Sequence, residues 1–271
     1  MKEQATKLEP TGERMITGEY HACAEDHLIY LMHIASYAFA ERFAQGKRVL
    51  DFGCGSGYGS ARISEIARSV QAVDVAQDAI DYAKANFVRP NLGFRCISPD
   101  TSLPFEDAAF DLVLSFQVFE HVADASLYLS EIKRVLVPGG QLVLITPDRS
   151  TRLLPFQRPW NRWHRKEYSQ TGLRRELIRF FPRAEILAMS GSPKVIALEV
   201  RRCHRIKWLT LPFTLPIFPD RWRIAALNAI HRHRKRGNAI GPPRSFDFTV
   251  EDIRITRDAQ PSVNIVAVCN T

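Results

Sequence analysis

The sequence predicts an α/β fold in which a doubly wound, mostly parallel sheet of seven strands ends in an antiparallel strand. Three observations predict it. Short apolar runs alternate with segments of helical periodicity over residues 46–191, a glycine-rich turn follows the first apolar run, and an apolar alternation closes the chain. Strands that alternate with helices form a parallel sheet with helices on both faces.

The predicted elements follow the chain in order. Apolar residues recur at a helical period over 25–45, and Gly46 ends this helix. The predicted strands are 49–52, 70–75, about 93–98, 111–116, 141–147, 184–191 and 262–269. The predicted helices between them are 60–68, 76–87, 126–137 and 170–180, and a ProGlyGly turn is predicted at 138–140.

This pattern divides the chain into four predicted parts. They are an N-terminal helical cap (1–45), a core (46–191), a basic and apolar insertion or lid of helical character (192–250), and a C-terminal segment that completes the sheet (251–271). Residues 194–200 compete with 262–269 for the role of final strand, and we assign that role to 262–269.

The composition is that of a globular protein, with 45% hydrophobic and 24% charged residues among 271. The five cysteines are scattered and form no CxxC pair, as is typical of reduced thiols in a cytosol. The N-terminus is polar, and no apolar run reaches the roughly 18 residues that span a bilayer. The sequence therefore predicts a cytoplasmic protein.

The glycine-rich turn lies in VLDFGCGSGYGSA, residues 49–61. A nucleotide-triphosphate loop needs GlyLys followed by Ser or Thr, and the sequence contains no such triplet. The dinucleotide pattern G-x-G-x-x-G also fails, because the register from Gly53 ends on Tyr58 and the register from Gly55 ends on Ser60. The turn therefore does not match these two phosphate loops.

Two acids indicate the ligand. Asp51 precedes the turn and attracts positive charge, and Asp74 ends the second predicted strand, where an acid can accept both hydroxyls of a ribose. S-adenosylmethionine combines a ribose, a sulfonium and an ammonium with a carboxylate that backbone N–H groups can bind. The alternative is that Asp51 caps a helix and Asp74 is a solvated strand end.

Four segments resemble the motifs of the class I S-adenosylmethionine-dependent methyltransferases, and the resemblance covers about residues 46–150. The segments are VLDFGCGSGYG, AVDV, SLPFEDAAFDLV and LVPGGQLVLITP, in the order and spacing of that family. The resemblance implies a Rossmann-like fold, and S-adenosyl-L-methionine as cofactor. It also implies a set of cofactor-binding residues: Asp51, Gly53, Cys54 and Gly55 at the methionine end, Asp74 at the ribose, Val75 at the adenine, and Ser115, Phe116 and Gln117 closing the site.

The adenine amino group is the one contact at which this sequence departs from the family pattern. Many relatives place an acid at the position that Pro99 occupies here, and the neighbouring acid is Asp100, followed by Thr101. The resemblance therefore implies Asp100 and Thr101 as the adenine contacts. The opening TGERMITGEYHACAEDHLIY, residues 11–30, is similar to the start of a bacterial subgroup found among sugar and cell-surface polysaccharide genes.

Glu120 and His121 are the candidate catalytic residues because they follow the fourth strand directly. An oxygen acceptor has a proton to lose, and His121 is the predicted base, unless it caps a helix or bonds the backbone instead. His21 and His164 are weaker candidates. QVFEH also resembles the ExxEH stretch of ubiquinone-pathway and small-RNA methyltransferases, in which two acids and a His bind a metal. Gln117 replaces the first acid, so we predict that no metal is required.

The acceptor is predicted to be a small molecule or a glycan. The segment SerPheGlnVal at 115–118 is not the Asn/AspProProTyr of enzymes that methylate base amines, so the sequence disfavours a DNA base as the acceptor. The aromatic and basic block 160–170 is either an acceptor wall, a single-strand stacking surface or a packed loop. The alternative function is a non-catalytic module that binds S-adenosylmethionine or nucleic acid with the same fold.

Residues 201–236 carry ten Lys or Arg against one acid, Asp220, and enclose the apolar stretch 209–219 between Trp208 and Trp222. The stretch is too short and too rich in proline to span a bilayer as a helix. It is either a lid over the active site or a peripheral contact with an anionic membrane, such as the inner face of the cell membrane. Nucleic acid is the least favoured partner, and the sequence does not indicate an oligomeric state.

Overall fold

The computed structural model describes residue 8 and residues 23–99, 102–237 and 245–271, and for 231–237 it describes the backbone alone. The helices are α1 (Ala24–Ala44), α2 (Tyr58–Ile63), α3 (Gln77–Asn86), α4 (Ala125–Val135), α5 (Arg149–Arg152), α6 (Gln170–Leu177), α7 (Pro193–Thr214) and α8 (Asp220–Gly237). The strands are β1 (Arg48–Phe52), β2 (Ser69–Asp74), β3 (Leu92–Cys96), β4 (Phe110–Phe116), β5 (Leu136–Pro147), β6 (Arg183–Gly191), β7 (Ile253–Thr256) and β8 (Asn264–Asn270).

The described strands form one sheet of eight, in the order β3-β2-β1-β4-β5-β8-β6-β7. Strands β1 to β5 pair in parallel, and β8 pairs antiparallel with both β5 and β6. The predicted doubly wound, mostly parallel sheet with an antiparallel last strand is confirmed. The strand count was one too low, because β7 is a short strand at the edge of the sheet whose four residues, IRIT, are no more than half-buried.

Alternating side chains of the central strands reach the two faces of the sheet. On β1, Val49 belongs to the cluster that α1 covers, whereas Leu50 belongs to the cluster that α4 and α6 cover. On β5, Val143 and Leu144 divide in the same way. Helices on both faces bury a parallel sheet on both sides, as the near-continuous apolar runs of these strands predict.

The choice of the final strand is also confirmed. Residues 194–200 lie in α7, which begins with Pro193 at its first position, and 262–269 lies at the antiparallel strand β8. The strand β5 begins at Leu136, five residues earlier than predicted, and includes the predicted ProGlyGly turn, where its register with β4 shifts. The boundaries of the four predicted parts stay predictions.

Candidate active site at the carboxyl ends of the parallel strands

The glycine turn is packed directly on the segment that follows β4. Gly53 has φ 92°, and a Cβ atom placed there would lie 2.2 Å from Cγ2 of Val118. Gly55 has φ 54°, and a Cβ atom placed there would meet no atom within 4 Å. The turn therefore joins two neighbouring strand ends at Gly53 and leaves space beside its backbone at Gly55. A ligand in a doubly wound sheet binds at such a crevice.

Asp74 fixes the open side of this turn. One carboxylate oxygen accepts from the backbone N–H of Gly55 at 2.9 Å, and the other accepts from that of Ala76, also at 2.9 Å. Each oxygen has a further lone pair for a ligand hydroxyl. Val75 follows at the surface, with 56% of its area exposed. The two residues place a carboxylate and an apolar side chain beside each other.

Asp51 lies beneath the turn rather than at its surface. Its carboxylate accepts from Ser60 Oγ at 2.6 Å and from the Tyr37 hydroxyl at 3.1 Å, and the residue is buried. Burial raises the pKa of Asp51 to about 6, against the opposing effect of these two hydrogen bonds. Asp51 therefore contributes buried negative charge close to neutral pH, and Cys54 is buried beside it.

The three residues predicted to close the site have different environments. Ser115 is fully buried, and its hydroxyl lies 2.8 Å from that of Tyr128. Phe116 is buried edge-on against Tyr37, with ring centroids 4.9 Å apart. Gln117 has φ 57°, and its backbone N–H donates to Ile145 at 2.8 Å. The left-handed residue Gln117 turns the chain sharply out of β4. Asp100, Thr101 and His21 lie outside the described residues.

Glu120, His121 and His164 form a polar cluster next to this turn, within the described part of the chain. One oxygen or nitrogen atom from each lies within 4.8 Å of the others, so the group could hold a metal ion. Glu120 is buried and accepts from Thr146 Oγ1 at 2.8 Å, while its second oxygen has no hydrogen-bond partner. The imidazoles of His121 and His164 meet edge to face at 4.9 Å.

Both imidazoles in this cluster have a defined tautomer when neutral. His121 Nδ1 lies 3.1 Å from the carbonyl oxygen of Trp163, and His164 Nδ1 lies 2.7 Å from a carboxylate oxygen of Glu167. These oxygens only accept hydrogen bonds, so Nδ1 carries the proton in each ring. Nε2 is then the basic nitrogen in both.

Glu167 and Arg152 support His164 from behind. Arg152 Nε donates to Glu167 at 3.0 Å, and both side chains are buried. Burial opposes ionisation of Glu167, but the charge of Arg152 and the hydrogen bond from His164 outweigh it and lower its pKa to about 2. Sequence reasoning named His164 and missed Glu167 and Arg152. The spacing HisArgLysGlu at 164–167 was the available signal.

A family model described as a methyltransferase domain matches residues 50–144. A probable S-adenosylmethionine-dependent methyltransferase of Mycolicibacterium smegmatis is 34% identical over 60% of this chain and 61% of its own length. A ubiquinone biosynthesis O-methyltransferase of Idiomarina loihiensis is 30% identical over 40% of this chain and 45% of its own. The chain therefore spans about half to three-fifths of the length of these curated relatives.

A solved structure of an S-adenosylmethionine-dependent methyltransferase, possible histamine N-methyltransferase, from Thermotoga maritima has the same fold. Its TM-score is 0.56 at 12% identity, over 90% of this chain and 91% of that one. The protein described here carries a class I S-adenosylmethionine-dependent methyltransferase domain, matched over residues 50–144. The methyl donor of this domain is S-adenosyl-L-methionine. The similarity of residues 11–30 to a sugar and polysaccharide subgroup is not supported by these relatives.

The residues at the turn fit this donor. The space at Gly55 admits a ligand close to the backbone, where a side chain would fill it. The Asp74 carboxylate suits two ribose hydroxyls, and the exposed Val75 suits an adenine face. The buried charge of Asp51 suits the cationic end of the molecule.

Proposed function

We propose that the whole protein is a methyltransferase that transfers a methyl group to an oxygen atom of a small or sugar-like acceptor. The observation that carries this proposal is the packing of the glycine turn on Val118, two residues from Glu120 in the polar cluster. Curated relatives of the matched region include ubiquinone biosynthesis and malonyl-acyl-carrier-protein O-methyltransferases. An oxygen acceptor is the kind that needs a base, and the cluster supplies two candidate imidazoles.

In this proposal the donor is held by residues that surround the turn. Asp74 accepts from the ribose, Val75 packs on the adenine, and the backbone of the turn binds the methionine end. The residues assigned to the donor are Asp51, Gly53, Cys54, Gly55, Asp74, Val75, Asp100, Thr101, Ser115, Phe116 and Gln117. When bound, S-adenosyl-L-methionine supplies a methyl group that its sulfonium already activates. The protein then has to align the acceptor and exclude water.

His121 is the proposed base, and Glu120 is the second proposed catalytic residue, whose carboxylate lies beside it. His121 is only half-buried, so an acceptor hydroxyl can approach it, whereas His164 is buried. His164 is the positioning residue, because its ring packs against that of His121 and is itself fixed by Glu167. A proton taken up at Nε2 of His121 would be stabilised by the carboxylate of Glu120.

Calorimetry with S-adenosylmethionine tests the donor site. Asp74→Ala should weaken binding by about 1–3 kcal/mol, because it removes a charged acceptor of hydrogen bonds. Asp81→Ala is the matched control, since Asp81 is an exposed aspartate of the neighbouring helix. Tight binding of a nicotinamide dinucleotide without any heat from S-adenosylmethionine would contradict the proposal.

A screen of acceptors with labelled donor tests the reaction. Variants of the protein, assayed with the acceptor that the screen identifies, then test the base. His121→Ala should lower turnover by roughly 10²–10⁴ and leave donor affinity nearly unchanged, as expected for loss of a general base. His204→Ala is the control, since His204 lies exposed on α7. An unchanged rate in His121→Ala with a large loss in His164→Ala would move the base to His164. Donor binding without turnover on any acceptor would favour the non-catalytic module.

Chelation tests whether the polar cluster needs a metal. Gln117 stands where a further acid would be needed, and we expect full activity after exhaustive chelation. The partnerless oxygen of Glu120 is the feature that favours a metal instead. Complete loss of activity that magnesium restores would overturn the prediction and assign Glu120, His121 and His164 as ligands.

A further inference from the structure

From Glu199 onward, helix α7 has polar side chains inside and apolar side chains outside. The buried residues of this part are Glu199, Arg202, Cys203, Lys207, Thr210 and Thr214. The exposed positions between them become apolar toward the end of the helix, at Trp208, Leu209, Pro212 and Phe213. A helix on a protein that contacts only water has the opposite arrangement.

The polar inner face of α7 is satisfied by specific bonds. Arg202 pairs with Glu199 at 2.6 Å. Gln157 Nε2 donates to Thr214 Oγ1 at 2.8 Å and to the carbonyl oxygen of Lys207 at 3.1 Å. Buried polar groups are costly unless they are paired, so these partners fix which face of α7 points inward. The apolar face, on the opposite side of the helix, therefore points outward.

The loop that contains Gln157 also binds the connection between α7 and α8. Arg158 donates to the carbonyl oxygen of Leu215 at 2.8 Å and pairs with Asp220 at 2.9 Å. Arg223 donates to the carbonyl oxygen of Pro159 at 2.8 Å. The two helices are thus anchored to the loop that leads to His164, and they have little freedom to turn their apolar residues inward.

We call the exposed apolar residues of these two helices and their connection the hairpin surface. Its members, with their exposed fractions, are Trp208 (51%), Leu209 (61%), Phe213 (36%), Ile217 (81%), Trp222 (61%) and Ile224 (39%). Several exposed apolar residues grouped on two helices that contact each other mark an interaction site more often than ordinary surface.

The charges near the hairpin surface are positive. Arg201 and Arg221 are exposed on the same two helices, and so is Arg205, which also pairs with Glu25 of α1 at 2.9 Å. The one acid within 201–236 is Asp220, and both Arg158 and Arg223 pair with it. Apolar and aromatic side chains flanked by arginines match the chemistry of an anionic bilayer surface, where Trp favours the interface and Arg contacts the headgroups.

We propose that the hairpin surface docks this protein peripherally on an anionic lipid bilayer. A second copy of the chain is less favoured, because a symmetric contact through this surface would bring its arginines close together. None of the described helices is long and apolar enough to cross a membrane, so the contact is an interfacial one. The proposal does not depend on the reaction that the protein performs.

Co-sedimentation of the full chain with vesicles tests the proposal. Vesicles of phosphatidylcholine alone are compared with vesicles that contain phosphatidylcholine and phosphatidylglycerol, at low and high salt. We expect sedimentation with the anionic vesicles at low salt, and its loss without phosphatidylglycerol or at high salt. A protein that remains in the supernatant with anionic vesicles at low salt would overturn the proposal.

Two substitutions identify the surface responsible. Ile217→Ser should weaken vesicle binding about tenfold or more, because an inserted isoleucine loses its transfer energy. Ile178→Ser is the matched control, since Ile178 is also exposed (44%) but lies at the end of α6. Arg221→Glu should weaken binding to anionic vesicles and reduce its salt dependence. Equal binding of the Ile217→Ser variant and its control would overturn the proposal.

Sedimentation velocity in the absence of lipid tests whether a second copy of the chain, rather than a bilayer, binds the hairpin surface. A dimer that Ile217→Ser dissociates would show that the surface pairs with a second copy instead, and would overturn the lipid proposal. None of these substitutions touches a residue assigned to the donor. Calorimetry with S-adenosylmethionine therefore reports on the proposed function independently of vesicle binding.

Discussion

Helices α4 and α7 both pack on the rest of the protein, but α4 buries its apolar face and the later part of α7 buries a polar one. Helix α4 buries Tyr128, Leu129, Ile132 and Val135 against the sheet, as an amphipathic helix does. From Glu199 onward, α7 buries arginine, lysine and threonine instead, and exposes Trp208 and Leu209. The burial of apolar surface stabilises the position of α4. The position of this part of α7 depends on hydrogen bonds from Gln157 and on the contact of Arg202 with the ring of Trp160.

The difference teaches that two kinds of energy hold this protein together. Apolar burial is non-directional and tolerates shifts in packing, so it specifies a sheet with helices but few exact contacts. Buried ion pairs and hydrogen bonds are directional, and breaking one leaves an uncompensated group. We call the sheet with α4 the apolar half, because it rests on apolar packing. We call residues 152–167 with α7 from Glu199 onward the polar half, because buried polar pairs hold it.

The largest expected effect is on the polar half. Arg152→Ala removes the cation that pairs with the buried Glu167 and that stacks on Trp160, 4.0 Å from the ring centre. Because it leaves a buried carboxylate without this partner, we expect a loss of about 3–5 kcal/mol in the free energy of unfolding. Urea unfolding measures it. Arg257→Ala is the control, because the Arg257–Glu185 pair is exposed and should contribute at most about 1 kcal/mol.

The same comparison predicts a loss of different origin in the apolar half. Leu144 is fully buried at the centre of the sheet. Leu144→Ala should lower the free energy of unfolding by about 2–5 kcal/mol, through lost transfer energy and a cavity. Its effect should depend little on pH, because no charge is exposed. A loss below about 1 kcal/mol would mean that the sheet does not depend on apolar packing at this strand.

The sequence allowed prediction of the apolar half and little of the polar half, for the same physical reason. A residue such as Leu144 is assigned to the core from its own type and the pattern of its neighbours. The outward position of Leu209 depends on Gln157, which donates to the carbonyl oxygen of Lys207 on the inner face of the helix, fifty residues further along the chain. No periodicity in α7 itself contains that information. The Rossmann-like sheet, the glycine turn and Asp74 were therefore predictable, and the orientation of the hairpin was not.

The polar cluster was predictable in part. Glu120 and His121 were chosen because they follow a strand end, where parallel sheets place functional residues. Glu167 and Arg152 were missed because charged side chains are usually solvated, whereas the fold buries both of these. The assignment of Asp51 to the donor stays a prediction, and the burial of its carboxylate against Tyr37 and Ser60 could not be read from the sequence.

Asp51 is an ionisable exception inside the apolar half, and it predicts a pH effect of opposite sign to an ordinary ion pair. Burial raises its pKa from 3.8 to about 6, so the folded protein holds a proton that the unfolded chain has released. Ionisation then costs stability between these two pH values, and the free energy of unfolding falls as pH rises through them. The two pKa values imply a cost of about 3 kcal/mol, complete above pH 6 or so.

Asp51→Asn removes this cost. The difference in the free energy of unfolding between the variant and the parent should increase by about 3 kcal/mol from about pH 4 to about pH 7. Denaturant unfolding at a series of pH values measures it, and other carboxylates cancel in the difference. The variant should also bind S-adenosylmethionine more weakly if the buried charge attracts its cationic end. A difference that does not change with pH would show that Asp51 has an ordinary pKa.

The smallest expected effect tests the comparison most directly. Leu209→Ala makes the same chemical change as Leu144→Ala, but Leu209 is 61% exposed. In the protein without lipid we expect a change of no more than about 0.5 kcal/mol in the free energy of unfolding. If α7 behaved like α4, the same substitution would cost several times more. A loss near that of Leu144→Ala would mean that the outer face of α7 is covered in the free protein, and that its helix is held by apolar contact after all. A loss that appears only when anionic vesicles are present would instead place the apolar contact at the bilayer, because a ligand that binds the folded state alone adds its binding energy to stability.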